Sequence, residues 1–233
     1  MAQKSRVLLS WSSGKDSAWT LNVLRQNFDW EVVGLLTTVN SASDRVAMHD
    51  VRRELLEAQA LATGLPLQIV PIPWPCSNAQ YEAAMEKAFT EAQNRWNISS
   101  VAFGDLFLED IRVYREEILA RNSGLKPLFP LWGIPTDQLA HEMIASGLRA
   151  NLTCVDSRRL PPSFAGREFD QAFLTDLPSS VDPCGESGEF HTFVHDGPMF
   201  LSPIPVVVGE VVERGGFYCA DLMLQTPDDK EKS

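Results

Sequence analysis

The chain has 233 residues, 44% of them hydrophobic, with 20 Lys and Arg against 31 Asp and Glu and a formal net charge of −11. That is enough sequence for a full core, as one large domain or one domain with a smaller appendage. The acidic balance argues against nucleic acid as a partner, because backbone binding needs a basic face. No run approaches the roughly 18 uninterrupted apolar residues of a membrane helix. The apolar run after Met1 is too brief for a signal peptide, so the expected location is the cytoplasm. Cys76, Cys154, Cys184 and Cys219 form no Cys-x-x-Cys pair; that excludes a zinc ribbon, and all four are expected to be reduced thiols.

In chain order, the first element is Val7-Leu8-Leu9, a short apolar run that reads as a buried strand. It stops at Ser12-Ser13-Gly14-Lys15-Asp16-Ser17, after which Ala18, Leu21 and Leu24 recur at helical spacing. Strand, small-residue loop and helix in that order make an anion site. Loop N–H groups, the unpaired N–H groups of the first helical turn and the positive end of its dipole converge on one spot. Gly14 lets backbone approach closely, Ser10, Ser12, Ser13 and Ser17 add hydroxyl donors, and Lys15 adds a mobile positive charge. Together they point to polyphosphate binding. The commoner phosphate loop is excluded, because Leu9 stands where it needs a glycine and Asp16 follows the lysine where it needs Ser or Thr. The plain alternative is an ordinary turn with Asp16 or Ser17 capping the helix.

Residues 30–39 read as a second buried strand, followed by a polar group at 40–44. Val51, Leu55, Ala58 and Ala62 share one face of a helix closed by Gly64. Residues 67–72 form a third strand, and Ser77 to Gln80 has capping-box spacing for a helix toward Arg95. Residues 98–103 form a fourth strand ending at Gly104-Asp105; a helix over 109–121 and a proline-interrupted strand over 126–131 follow. This alternation predicts an α/β fold with a doubly wound parallel sheet, in which ligands sit beyond the carboxyl ends of the strands. Residues 10–17, Thr37-Thr38 and Gly104-Asp105 are therefore expected to share one crevice.

From Trp132 prolines punctuate the chain. A short helix from Pro135 to Gly147 precedes strands at 148–155, 189–195, 206–213 and 217–224, with a hairpin at Arg214-Gly215-Gly216. The expected organisation is a first domain over 1–130, a smaller α+β domain over 131–224 laid across the crevice, and a flexible polar tail over 225–233. Between Asp182 and Asp196 reactive side chains crowd together. Gly185 and Gly188 imply a bent backbone presenting Glu186 and Glu189, which could hold a divalent cation or an ammonium group, or move protons. A transition-metal set of Asp182, Cys184, Glu186, His191 and His195 is the rival, although its spacing fits no standard zinc pattern. An exposed glycine-rich hairpin is the bland alternative.

The loop 12–17 resembles the pyrophosphatase loop, Ser-Gly-Gly-x-Asp-Ser, of enzymes that split ATP between its α and β phosphates, with Ser13 in place of the first glycine. Gly104-Asp105 with Arg112 and Glu116, Pro130-Leu131-Trp132-Gly133, and Gly185-Glu186-Ser187-Gly188-Glu189-Phe190 follow in order. Together these motifs resemble the diphthine–ammonia ligase family and its adenine nucleotide α-hydrolase-like bacterial relatives. The likeness covers nearly the whole chain; Ser187 departs from it, standing where relatives often carry Asn or Gly, which bears on the second substrate.

The resemblance implies a PP-loop (HUP-type) fold and an ATP-dependent, AMP-forming ligase that adenylates a carboxylate and amidates it with ammonia. Ser10, Ser12, Ser13, Gly14, Lys15, Asp16, Ser17 and Gly104 would bind the nucleotide, with the backbone at Thr37 and Thr38 on the adenine edge. Lys15 would neutralise the bridging oxygen, and Asp16 would ligate Mg²⁺ unless it caps the helix. Asp105 would line the crevice, and Glu186 and Glu189 would bind or deprotonate ammonium within the loop shaped by Gly185 and Gly188. Arg112 and Glu116 would meet substrate or form a surface ion pair. His49 would approach the phosphates or cap the second helix. The implied partners are ammonia and a carboxylate-bearing small molecule or protein side chain. The apolar Pro198-Met199-Phe200-Leu201 could serve a homodimer contact as easily as a core. Two other readings stay open: a tRNA-modifying enzyme with the same loop, and a nucleotide-binding regulator without turnover.

Overall fold

A computed structural model describes residues 4–121 and 124–225; the tail over 226–233 lies outside the described residues. Strand β1 (Ser5–Ser10) buries both faces, with Val7 and Leu9 in one apolar cluster and Leu8 in another. A strand covered on both sides belongs at the centre of a parallel sheet. β1 is flanked in parallel by β2 (Trp30–Asn40) and β5 (Ser100–Ala102). β4 (Leu67–Ile72) lies beyond β2 and β6 (Lys126–Leu128) beyond β5, again parallel. A two-residue strand, β3 (Arg45–Val46), folds back antiparallel on Val39 and Asn40. The chain thus builds to one side of β1 before returning to the other. The order reverses at the carboxyl end of β1, where a ligand crevice is expected.

The helices α1 (Lys15–Gln26), α2 (Arg53–Thr63), α3 (Asn78–Trp96) and α4 (Glu109–Ala120) cover this sheet. Ser77 and Gln80 form the expected reciprocal capping box of α3, and Gly64 ends α2 in the left-handed region at φ 71°. This is the α/β fold the sequence predicts, with β3 added; so short a strand carries no periodicity to read.

The second half forms an antiparallel sheet in the order β8 (Phe190–Asp196), β7 (Arg149–Asp156), β10 (Phe217–Leu224), β9 (Val206–Arg214). Helix α5 (Thr136–Ala145) precedes it, and α6 (Gln171–Asp176) lies between β7 and β8. The sequence predicted no element at α6, yet Asp170 caps it by accepting the Phe173 N–H at 2.7 Å. One apolar cluster runs through both sheets, joining Leu9, Trp11 and Leu21 to Phe173, Phe190 and Phe193. The segment Pro198–Leu201 divides, with Met199 in the core and Leu201 78% exposed.

The cysteines correct the expectation of four reduced thiols. Cys154 and Cys219 are disulfide-bonded, while Cys76 and Cys184 are free. The bonded pair sits directly opposite in the β7/β10 register with Cα atoms 4.1 Å apart, a juxtaposition that a separation of 65 residues conceals. No helix among the described residues is long and apolar enough to cross a membrane.

Candidate active site

β1 runs into α1 through a tight loop whose hydroxyls close on one another. The Ser12 hydroxyl accepts from the Gly14 N–H at 3.3 Å, and the Ser17 hydroxyl accepts from the Ser12 N–H at 3.3 Å while donating to the Gly14 carbonyl at 2.9 Å. Gly14 is the N-cap and no side chain caps the helix, so neither Asp16 nor Ser17 has the capping role. Ser13 adopts φ +72°, a region that its β-carbon disfavours. Its hydroxyl is fully buried and has no hydrogen-bond partner among the described residues.

The Ser13 carbonyl is held twice, by the Val194 N–H of β8 at 3.0 Å and by Gln59 Nε2 at 3.0 Å. Gln59 also donates to the Val194 carbonyl at 2.6 Å and accepts from Trp11 Nε1 at 2.9 Å. Sequence reasoning passed over this glutamine. The signal was available, because Gln59 lies four residues after Leu55 on the buried face of α2, where a polar residue needs a reason.

Gly14 is required by close approach: a β-carbon there would lie 2.8 Å from His49 Cε1 and 3.3 Å from the Thr192 carbonyl. Gly104 packs as tightly against Asp16 and Ser17, and the Thr37 hydroxyl donates to the Trp11 carbonyl at 2.7 Å. The ends of β1, β2 and β5 therefore meet. The Thr38 carbonyl is already engaged by the Ala47 N–H at 3.1 Å. Ser10, at the end of β1, is half-buried.

Lys15 does not stand free in the loop, as a charge read from sequence alone would; it is engaged within the protein. Its side chain is 3% exposed, its ammonium donates to both Asp16 oxygens at 3.0 and 2.8 Å and to the Cys184 carbonyl, and it lies 5.5 Å over the Phe190 ring. Burial pulls its pKa down, but Asp16, with Cys184 and Glu186 adding to it, outweighs that and holds it above its ordinary value. Burial pushes Asp16 up, opposed by Lys15. With both oxygens on Lys15, Asp16 can meet a metal ion only when the ammonium turns elsewhere. The Lys15 N–H donates to the Thr192 hydroxyl at 3.0 Å, a second tie to β8.

The two glutamates of the second cluster diverge. The turn before β8 has Gly185 at φ +67° and Gly188 at φ +82°, and Asp182 accepts the N–H groups of Cys184 and Glu186 at 3.2 and 2.9 Å. Glu186 reaches the loop after β5, accepting the Leu106 N–H at 2.7 Å. Burial raises its carboxyl to about 7; the Leu106 bond opposes that, and the Asp16 carboxylate adds to it. Glu189 turns inward instead, 4% exposed, with Oε1 accepting the Asp182 N–H at 3.3 Å and Oε2 without a hydrogen-bond partner among the described residues.

Asp105 is half-buried and lies 3.7 Å from Arg115, a partner not singled out in the sequence; burial raises its carboxyl while Arg115 opposes. Arg112 makes the expected pair with Glu116 at 3.0 Å, and its guanidinium lies 4.7 Å over Trp132 and 5.1 Å over Phe129. The turn carrying Trp132 is tied to the same loop as Glu186, through the Gly133 N–H to the Leu106 carbonyl at 2.8 Å.

The proposed transition-metal set is not assembled. Among the described residues, the one group of three such side chains that come close together is Asp50, Cys154 and Cys219, none of them in that set, and the two cysteines are already joined as a disulfide. Cys184 is a buried thiol, donating to the Thr136 carbonyl at 3.3 Å, and burial pushes its pKa well up. His191 instead pairs with His49, ring centroids 4.6 Å apart.

Comparison with known proteins fits this geometry. The family model described as diphthamide synthase N-terminal domain matches residues 4–127, and that described as diphthamide synthase C-terminal domain matches residues 135–220. The chain is similar to the diphthine–ammonia ligase of Bos taurus, 26% identical over 230 residues covering 89% of this chain and 85% of that protein. It is similarly related to that of Danio rerio, at 27% over 226 residues, 89% of this chain and 88% of that protein. The likeness to the Homo sapiens ligase is 36% over 110 residues and spans 45% of this chain and 41% of that protein.

Proposed function

The chain belongs to the diphthamide synthase family, and from that premise we propose that it is an ATP-dependent ligase converting the carboxylate of diphthine, or of a closely similar side chain, into an amide. A carboxylate oxygen of the acceptor attacks the α-phosphorus of ATP, and pyrophosphate leaves. Ammonia then attacks the acyl carbon, AMP leaves, and the surplus proton of the nitrogen passes to a base. Residues 1–130 carry the nucleotide half of this chemistry and residues 131–224 the half that closes over it.

The observation that carries the reading is the double bridge between these halves, from Lys15 to the Cys184 carbonyl and from Glu186 to the Leu106 N–H. The leaving pyrophosphate takes the nest of Ser12, Ser13, Gly14 and Ser17, whose buried Ser13 hydroxyl has a hydrogen bond to give. Lys15 would exchange Asp16 for the bridging oxygen, and Asp16, so released, would be the residue to hold Mg²⁺, which would supply positive charge beside the phosphates. Glu186 is suited to take the proton from ammonium, because a carboxyl near 7 gives up and accepts protons at neutral pH. Glu189 supports it from within the loop, and Arg112 faces the acceptor.

The test is to supply ATP, Mg²⁺, ¹⁵N-ammonium and a diphthine-bearing protein. AMP, pyrophosphate and ¹⁵N in an amide are expected in equal amounts; ADP as the nucleotide product would overturn the reading.

A further inference from the structure

Of the two roles that sequence left open for His49, the cap of α2 is ruled out: Arg52 is the N-cap there, and no side chain caps that helix. The imidazole instead sits on the phosphate loop, close enough to Gly14 that a β-carbon would collide with Cε1 at 2.8 Å. Reaching that position is costly. Met48 and Asp50, on either side, both take left-handed φ values of 66° and 54°, which ordinary side chains avoid. The turn is forced by several bonds: the His49 N–H to the Ala47 carbonyl at 2.9 Å, the Asp50 N–H to the Val46 carbonyl at 3.1 Å, and the Asp50 carboxylate to Arg214 at 2.5 Å. Met48 is 78% exposed, so the strain does not serve to bury it. What the turn delivers is the half-buried ring of His49, tilted against His191 at 42° and 3.3 Å through Nδ1 from the Thr192 carbonyl.

We propose that His49 is a phosphate ligand of the nucleotide site, its imidazole receiving the pyrophosphate half of ATP beside Gly14. This rests on the ATP-binding reading above and adds a residue to it. With Nδ1–H donated to the Thr192 carbonyl, the contact falls to Nε2, which must carry a proton to donate to a phosphate oxygen. Around the empty ring stand Lys15 on α1, His191 on β8, and Asp50 on its own turn, itself neutralised by Arg45 and Arg214. Burial, opposed by the Thr192 hydrogen bond and helped by Lys15, lowers the His49 pKa to about 4, so the ring is neutral before nucleotide arrives. The polyphosphate brings several negative charges to the loop and reverses that balance. Binding therefore takes up a proton at His49, and affinity for ATP falls as pH rises.

Titration calorimetry of the full chain with ATP, pyrophosphate and AMP, in buffers of different ionisation enthalpy, tests this. Wild type and variants are run side by side, so that protons released by the nucleotide itself cancel. His49→Ala should weaken ATP and pyrophosphate about tenfold or more, as loss of a charge-assisted hydrogen bond does, while leaving AMP unchanged. His49→Gln, which donates without titrating, should keep affinity within a few-fold yet lose the proton uptake. Equal weakening of all three ligands, or proton uptake that survives in His49→Gln, would overturn the proposal. Absence of ATP binding in the wild type would instead sink the ligase reading beneath it.

Discussion

Replacing Ser13 with glycine separates what the loop asks of its backbone from what it asks of its hydroxyl. A non-glycine residue at φ +72° costs about 1–2 kcal/mol. A buried hydroxyl without a partner costs about 1–3 kcal/mol more. Glycine removes both. It gives back about 0.4–1 kcal/mol through the freer unfolded chain, and about 1 kcal/mol through the small void left in a fully buried place. The balance favours Ser13→Gly by about 0–4 kcal/mol, centred near 2, which at the centre is a rise in Tm of roughly 4–8 °C for a chain of this size. Urea and thermal unfolding measure it. If the hydroxyl exists to meet a phosphate oxygen, the same variant should bind ATP about tenfold more weakly, since hydrogen bonds to charged groups contribute about 1.5–3 kcal/mol. A variant less stable than wild type by 1 kcal/mol or more would refute the assignment of strain.

Glu186, its carboxyl raised to about 7 against an ordinary 4.5, keeps its proton in the folded chain where the unfolded chain has lost it. Stability should therefore fall as pH rises from about 5 to 7, by about 1–2 kcal/mol once its partial exposure is discounted. Glu186→Gln should flatten that slope in unfolding curves and abolish the rise of amidation through pH 7. Gln59→Leu leaves the Trp11 N–H and a share of the Ser13 and Val194 carbonyl bonding unmet, and should cost about 2–4 kcal/mol in urea unfolding. Asp221 on β10 is held well below the ordinary carboxylate range by Arg52 and Arg45. Its contribution is present above about pH 4 and lost as pH falls through the lower folded value. Asp221→Asn should cost about 1 kcal/mol at pH 7 by chemical denaturation, with the gap from wild type closing in acid.

The elements that sequence made legible are those whose signal is local. A buried central strand shows as Val7-Leu8-Leu9, a capping box as Ser77 and Gln80, and a helix end as Gly64. What could not be read was created by contact between distant segments. The Cys154–Cys219 bond, the coupling of Arg115 to Asp105 and the pairing of His49 with His191 all depend on register or packing, which periodicity does not encode. Lys15 shows the same limit. A lysine in a loop is reasonably taken as mobile until Cys184, 169 residues away, is seen to hold it. Glu186 and Glu189 read as a pair because they stand three positions apart, but left-handed Gly188 between them, with left-handed Gly185 just before, sends one outward and the other in.

The strain at Ser13 says which half of the molecule holds the phosphate loop in shape. A left-handed serine persists only where its surroundings over-determine it, and its carbonyl is fixed by Val194 from one sheet and Gln59 from a helix on the other. Two residues further on, the Lys15 N–H is fixed by Thr192 of the same strand as Val194. The turn that sequence assigns to β1 and α1 is therefore stabilised largely by β8, which comes from far along the chain. The same strand follows the turn that carries Glu186 to the Leu106 N–H. On the mechanism proposed above, displacing β8 should therefore disturb the loop assigned to pyrophosphate and the carboxyl assigned to ammonium together.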